Sequence, residues 1–255
     1  MPLQIITIPC LSDNYAYLIR DETTGQVAVV DVPEAAPVLN VLKDMGWQLD
    51  QILITHHHYD HIDGLEEVRK ATGAKVYGAK ADKHRLPPLD VSLTEGNTFK
   101  LGRQVCDVLD VSGHTIGHIA FLFKGAAAVF SADSLMALGC GRVFEGDFAM
   151  MWGTMLKFKA LPDDTLVYSG HEYTMSNAKF ALTIEPDNAD LKARIKDIEY
   201  KRANDIPTVP ASIALEKATN PFLRADLAEV KALLGMETAT DAKVFGEIRS
   251  RKDRF

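Results

Sequence analysis

The stretch Ile52-Leu53-Ile54-Thr55-His56-His57-His58-Tyr59-Asp60-His61-Ile62-Asp63-Gly64 sets four imidazoles and two carboxylates directly behind an apolar run. Polar groups at this density are costly to fold around unless they bind something. The three apolar residues read as the end of a buried strand. Side chains alternate in an extended segment leaving that strand, so His56 and His58 point the same way and can share one metal ion. Asp60 and His61 follow where the chain turns, and diverge from the first pair toward a second site. By the same alternation His57 points away, and Tyr59 is read as a packing residue. Asp63 has N-cap chemistry, which predicts a helix from about that residue through Gly64-Leu65-Glu66-Glu67-Val68-Arg69-Lys70.

Two ions need more donors than this stretch supplies, and three later segments offer them. Asp110-Val111-Ser112-Gly113-His114-Thr115-Ile116-Gly117-His118 follows the alternating run Val105–Leu109. Ala127–Ser134 reads as a short buried strand ending in Asp133, and Leu166–Tyr173 as a strand ending in Gly170-His171. Each donor therefore stands at a strand end. Ends gathered on one edge of a sheet are where α/β proteins commonly place chemistry.

The order Thr-His-x-His-x-Asp-His-x-x-Gly, then Gly-His-Thr-x-Gly-His, then a strand-end Asp and a strand-end Gly-His, resembles the metallo-β-lactamase superfamily. Within it the chain is similar to the hydroxyacylglutathione hydrolase (glyoxalase II) family. That similarity rests on Leu138-Gly139-Cys140-Gly141-Arg142-Val143-Phe144-Glu145-Gly146, Gly170-His171-Glu172-Tyr173-Thr174, Asn220-Pro221-Phe222-Leu223-Arg224 and the closing Arg249-Ser250-Arg251-Lys252-Asp253. It runs from Ser12-Asp13-Asn14-Tyr15 to the last few residues. Two departures stand out: Ser112 where Pro is common before Gly-His-Thr, and Phe144 where some members have Tyr.

The resemblance implies an α/β (α+β type) fold, a four-layer αββα sandwich with a C-terminal helical domain. It implies one ion on His56, His58 and His114, and a second on Asp60, His61 and His171, with Asp133 bridging. Such donors suit two divalent ions, Zn, with Fe or Mn as alternatives. Asp60 and Asp133 become the catalytic carboxylates, Asp60 orienting the attacking hydroxide. His118 is expected to hold the loop that carries His114, Asp31 and Asp110 to fix imidazole tautomers, and Cys140 to be packing. The implied activity is hydrolysis of S-D-lactoylglutathione and related 2-hydroxyacylglutathiones by a metal-bridging hydroxide, the second step of methylglyoxal detoxification. Arg142, the backbone at Phe144, Tyr173, Arg249 and Lys252 are the implied contacts to the glutathione moiety. Read from charge alone, cations in the last helical turn are explained by the macrodipole.

Leaving-group chemistry agrees with a thioester. A thiolate whose acid has a pKa near ~8.5 departs unprotonated, so no general acid is needed. An amide or lactam nitrogen needs one, and none is evident. Rival activities are disfavoured on particular residues. A β-lactamase of the commonest form has Cys where Asp133 stands. A superfamily nuclease is expected to carry a basic surface. A persulfide dioxygenase uses a single Fe, against which Asp60, His61 and His171 together argue for two ions. A structural metal module closes its coordination, whereas these donors leave a bridging position open.

The 255 residues suffice for one large domain or a domain with an appendage. There are 28 basic and 35 acidic residues, net −7, which argues against a nucleic-acid partner. From Thr174 onward 14 Lys and Arg meet 13 Asp and Glu, so the acidic surplus lies in the first 173 residues. Cys10, Cys106 and Cys140 are widely spaced, which fits a reducing compartment. Met1-Pro2-Leu3-Gln4 lacks a basic n-region and no run reaches membrane-spanning length, so a cytoplasmic protein is expected. The absence of heptads makes a monomer the default.

Strands are predicted at Gln4–Ile8, Tyr15–Arg20, Gln26–Asp31 and Gln51–Thr55, with a helix over Ala35–Met45. Amphipathic helices are predicted at Met175–Ile184, Asp190–Lys201, Ala225–Leu234 and Ala242–Arg251. This change of texture sets the expected boundary: a catalytic domain over 1–173 and a helical, substrate-binding domain over 174–255.

Overall fold

Short apolar runs alternate with helical periods through the first half of the chain, and they become strands and helices in the computed structural model, which describes residues 3–255. Met1 and Pro2, which belong to the stretch inspected for a leader and to the first expected domain, lie outside the described residues. The chain divides into two compact units. One holds the residues up to Val111 together with Ile116–Ala132, the other Ser112–Thr115 together with Asp133–Phe255.

The first unit contains β1 (Leu3–Cys10), β2 (Asn14–Asp21), β3 (Val27–Val30), α1 (Ala35–Met45), β4 (Gln51–Leu53), α2 (Tyr59–Ile62) and α3 (Leu65–Thr72). Then come β5 (Lys75–Ala79), β6 (Val91–Leu93), β7 (Thr98–Leu101), β8 (Gln104–Asp110), β9 (Ile119–Phe123) and β10 (Ala128–Ala132). Strands β1 to β6 form one sheet in chain order. Its first three strands are antiparallel, and β3 to β6 run parallel. Parallel neighbours need crossover helices, which α1 and α3 supply. Both helices lay apolar stripes on the sheet: Val38 and Leu42 from α1, Leu65 and Val68 from α3, packed with Val29, Ile52, Ile54 and Val76. Strands β7 to β10 are antiparallel in a second sheet. Ring contacts between Tyr17 and Phe130 (5.5 Å) and between Tyr77 and Phe99 (5.1 Å) join the inner faces of the two sheets.

Strand β4 lies between β3 and β5, and its residues are wholly buried. That burial fixes where the histidine stretch leaves the sheet. Two expectations are corrected here. The donor-bearing strands do not share one sheet, since β4 belongs to the first and β8 and β10 to the second. They meet across the sandwich instead, where Ile119 donates its N–H to the Thr55 carbonyl at 3.0 Å. The helix after the histidines also starts earlier than Asp63. Its first turn is α2, Asp63 ends that turn, and α3 restarts at Leu65 with no side-chain cap. Gly64 forces the break. Its N–H reaches the Val32 carbonyl at 2.9 Å, and a Cβ there would stand 2.4 Å from the Ala35 nitrogen.

The second unit contains α4 (Phe148–Lys159), β11 (Leu166–Ser169), α5 (Thr174–Ile184), α6 (Ala189–Ala203), β12 (Ala211–Ser212), α7 (Ile213–Thr219), α8 (Ala228–Leu234) and α9 (Asp241–Arg254). Asp147, Asn188 and Ser212 cap α4, α6 and α7 through their side chains. Helices α4 and α9 pack through Trp152 and Phe245, with ring centroids 6.0 Å apart. Helices α5 and α6 pack around Leu138, Ala178, Ala181, Leu191 and Ile198.

Candidate metal centre

In the first unit His56 is wholly buried, and its orientation follows from a chain of hydrogen bonds. The Thr55 hydroxyl donates to Asp31 Oδ2 at 2.8 Å, and so accepts from His56 Nδ1–H at 3.0 Å. That leaves the lone pair on Nε2, which lies 3.2 Å from His58 Nδ1. Two nitrogens bound to one tetrahedral zinc at ~2.0–2.1 Å stand about 3.3–3.4 Å apart, so the pair fits a shared divalent ion. His61 donates Nδ1–H to the same Asp31 oxygen at 2.8 Å, and its Nε2 is 3.9 Å from Asp60 Oδ2. Asp60 is held in turn by Asn14, whose amide donates to Asp60 Oδ2 at 3.1 Å and to its carbonyl at 3.0 Å.

Asp31, His56 and His61 offer donor atoms within 4.8 Å of one another. Asp31 nevertheless serves as an acceptor rather than a ligand. Its carboxylate also takes the Thr55 N–H at 2.9 Å, so its oxygens are engaged with donors that set the rings. This is the role expected of it. At Asp110 the backbone N–H is donated to the Glu95 carboxylate. His118 is buried and stacks flat on His56, with centroids 4.5 Å apart and 12° between planes. His57 turns away as alternation predicts, donating Nδ1–H to Asp82 at 2.8 Å. Tyr59 is 71% exposed, so it does not pack.

In the second unit two imidazoles face one carboxylate oxygen. His114 Nε2 is 3.5 Å and His171 Nε2 3.3 Å from Asp133 Oδ2. His114 donates Nδ1–H to the Arg142 carbonyl at 2.7 Å, which again leaves Nε2 as the donor atom for a metal. This contact requires glycine at 141, because a Cβ there would lie 2.2 Å from the Asp133 carbonyl and 2.7 Å from His114 Nδ1. Tyr173 stacks on His171, with centroids 4.5 Å apart and 9° between planes.

The residues expected to bind an anion are also in this unit. The Arg142 side chain is 58% exposed, with Nε 3.6 Å from Asp253 Oδ1. Phe144 is 60% exposed, but it donates its N–H to the His114 carbonyl at 3.2 Å. Its ring lies edge-on to His114 at 5.3 Å and beneath the Arg142 guanidinium at 5.8 Å. Arg249 is buried, its Nη1 donating to the Cys140 carbonyl at 2.8 Å and its Nη2 paired with Asp253 at 3.1 Å. Lys252 contacts Ser176 at 3.3 Å and lies over the rings of Phe180 and Phe255. Burial, and then the nearby Arg249 cation, lower its pKa from 10.5 to about 8. Cys140 is buried, which pushes its thiol up to about 11 and suits a packing role.

Asn14 is a residue that sequence reasoning left without a role. Its signal was present in Ser12-Asp13-Asn14-Tyr15, but nothing local in the sequence says that this turn reaches Asp60.

Residues 12–171 match the metallo-β-lactamase superfamily, and residues 172–255 match the hydroxyacylglutathione hydrolase C-terminus. A hydroxyacylglutathione hydrolase of Ruegeria pomeroyi is 59% identical over 255 residues, covering all of both chains. One from a Jannaschia species is 61% identical over 252 residues, covering 99% of this chain and 98% of its own. Among solved structures, the BLEG-1 B3 metallo-β-lactamase superposes with a TM-score of 0.68 at 22% identity, over 86% of this chain and 99% of its own, a likeness of fold. The architecture is thus the metallo-β-lactamase fold, two sheets with helices, followed by a helical C-terminal region. Its His and Asp cluster suits a divalent metal.

Proposed function

The chain belongs to the hydroxyacylglutathione hydrolase family of the metallo-β-lactamase superfamily, and on that premise we propose that it hydrolyses S-D-lactoylglutathione and related 2-hydroxyacylglutathiones to glutathione and the hydroxy acid. The observation that carries the proposal is the complete donor set, His56, His58, Asp60, His61, His114, Asp133 and His171, in a chain so similar to these hydrolases over its full length. We assign His56, His58 and His114 to one ion and Asp60, His61 and His171 to another, with Asp133 between them. Zn suits these donors, and Fe or Mn is accepted by the same set.

When bound, such ions supply a water acidified to a nucleophile at neutral pH and a Lewis acid for the developing oxyanion. The protein's own groups do the rest. Asp31 holds His56, through Thr55, and His61 with their Nε2 lone pairs outward. The Arg142 carbonyl does the same for His114. Asn14 steadies Asp60, the carboxylate assigned to orient the attacking water. The backbone at Phe144, Tyr173 and the cations Arg142, Arg249 and Lys252 are assigned to the glutathione moiety. Arg142 and Lys252 are the more exposed of these cations, and Arg249 shares the Asp253 carboxylate with Arg142. The functional division is placed near residue 174, close to where the two family matches meet.

No described helix is long and apolar enough to cross a membrane. Three free cysteines, all buried, support a reducing, cytoplasmic setting. We assign a monomer acting on a small-molecule thioester, without nucleic acid. Comparing a glutathione thioester with the matching amide and with common β-lactams tests the reading. The thioester is cleaved quickly and the others scarcely at all, whereas comparable rates on the amide would mean that a proton donor is present and the chemistry is not specific to thiolate departure.

A further inference from the structure

Helices α6 and α7 carry a buried polar network that the assignment above does not use. Glu216, Thr219 and Asn220 are fully buried, and Arg194 nearly so. Arg194 pairs with Glu216 and donates to Thr219 Oγ1 at 2.7 Å. The other Glu216 oxygen accepts the Leu138 N–H and an Asn220 amide hydrogen, each at 2.9 Å. The Asn220 amide also reaches the carbonyls of Gly139 at 3.0 Å and Met136 at 3.2 Å. An ion pair this deep is expensive to desolvate, and it persists only when its remaining hydrogen-bonding positions are filled.

The contacts of Glu216 to Leu138 and of Asn220 to Met136 and Gly139 lead to one loop. Leu138 sits at φ +57°, a strained conformation for a non-glycine residue that must be held by its surroundings. Just beyond it, Gly141 donates its N–H to the Asp133 carbonyl at 2.8 Å, and the Arg142 carbonyl accepts His114 Nδ1–H. The loop's C-terminal end therefore bears directly on two proposed metal ligands. We propose that the Arg194–Glu216–Asn220 network positions His114 and Asp133 through the Met136–Arg142 loop, fixing the His114 tautomer. Glu216 and Asn220 are positioning residues in this account, which rests on the metal-centre reading above.

The test uses the full-length chain with Glu216→Gln and with Asn220→Ser. The second removes the loop contacts while keeping the Arg194–Glu216 pair, and carries the test if the first does not fold. Val230→Ala, a buried truncation on α8, controls for lost stability. Two readouts are taken: ring-nitrogen NMR shifts of His114 in metal-free protein, and the visible spectrum and affinity with cobalt(II). Wild type and Val230→Ala show one Nδ1–H tautomer and share one cobalt spectrum. The network variants show mixed tautomers, an altered spectrum and cobalt affinity lower by about tenfold or more, as for other losses of an outer partner. Variants that keep the wild-type tautomer and cobalt spectrum while only their melting temperature falls would overturn the proposal. A wild type that takes up no cobalt would count against the metal-centre reading, while the tautomer comparison still decides the positioning claim.

Discussion

The Asp31 carboxylate accepts from the Thr55 N–H, the Thr55 hydroxyl and His61 Nδ1–H. Replacing it with Asn separates this work from any general need for a residue there. Asn tolerates the left-handed φ of +55° that Asp31 adopts, so the backbone is kept. One oxygen becomes an NH₂ group, which cannot accept: at the Oδ1 position the Thr55 N–H loses its partner, and at the Oδ2 position the Thr55 hydroxyl and His61 both do. Metal affinity of Asp31→Asn is expected to fall about 10–100-fold, measured by competition with a chelator. An unchanged affinity would show that ring orientation does not depend on this carboxylate. Lys252 gives a prediction in pH. Its pKa is lowered to about 8 by burial and then by Arg249, so it is charged below that value and neutral above. Because the lysine is assigned to a carboxylate of the substrate, KM for the glutathione thioester should rise as pH passes through about 8, and this rise should vanish in Lys252→Ala. The unfolded chain binds this proton more tightly, so the same group makes stability increase with pH between about 8 and 10.5. A KM that is flat in pH across that window in wild type would remove Lys252 from the binding site.

Elements were legible where periodicity was clean. The predicted bounds of α1 are those observed, since Val38 and Leu42 face the core and Gly46 ends the helix. Helix α4 was not predicted, because Phe148-Ala149-Met150-Met151-Trp152 is apolar on every side and carries no amphipathic stripe to read. The turn after the histidines was misplaced for a different reason. Asp63 has the chemistry of a cap, but the break belongs to Gly64, whose need for space arises from the backbone of Glu34 and Ala35, thirty residues away in the chain. Gly64→Ala is therefore expected to destabilise by an amount toward the upper part of the ~1–3 kcal/mol typical of overpacking. Urea unfolding measures it, and a loss within error of zero would mean that the α2–α3 junction can relax. The seven proposed ligands were legible because each follows an apolar strand. Their supports were not. Asn14, the Arg142 carbonyl and Glu216 act across 28 to 78 residues of separation, which no local pattern reports.

At the scale of the whole molecule, function was read from the order of the motifs; the two family matches fall in that order along this chain, and its relatives align with it over the full length. Composition bounded the answer without choosing it: a net charge of −7 spoke against a nuclease, and no count of residues distinguishes a thioester from a lactam. The central claim is that one metal centre in this chain cleaves a glutathione thioester using two ions. The most direct measurement is a thioesterase assay on S-D-lactoylglutathione, with elemental analysis of the same metal-replete sample. The account predicts rapid release of glutathione from protein that holds close to two divalent ions per chain, and loss of both activity and occupancy in Asp133→Ala. A fully active protein holding one ion, or a metal-replete protein that leaves the thioester intact, would contradict it.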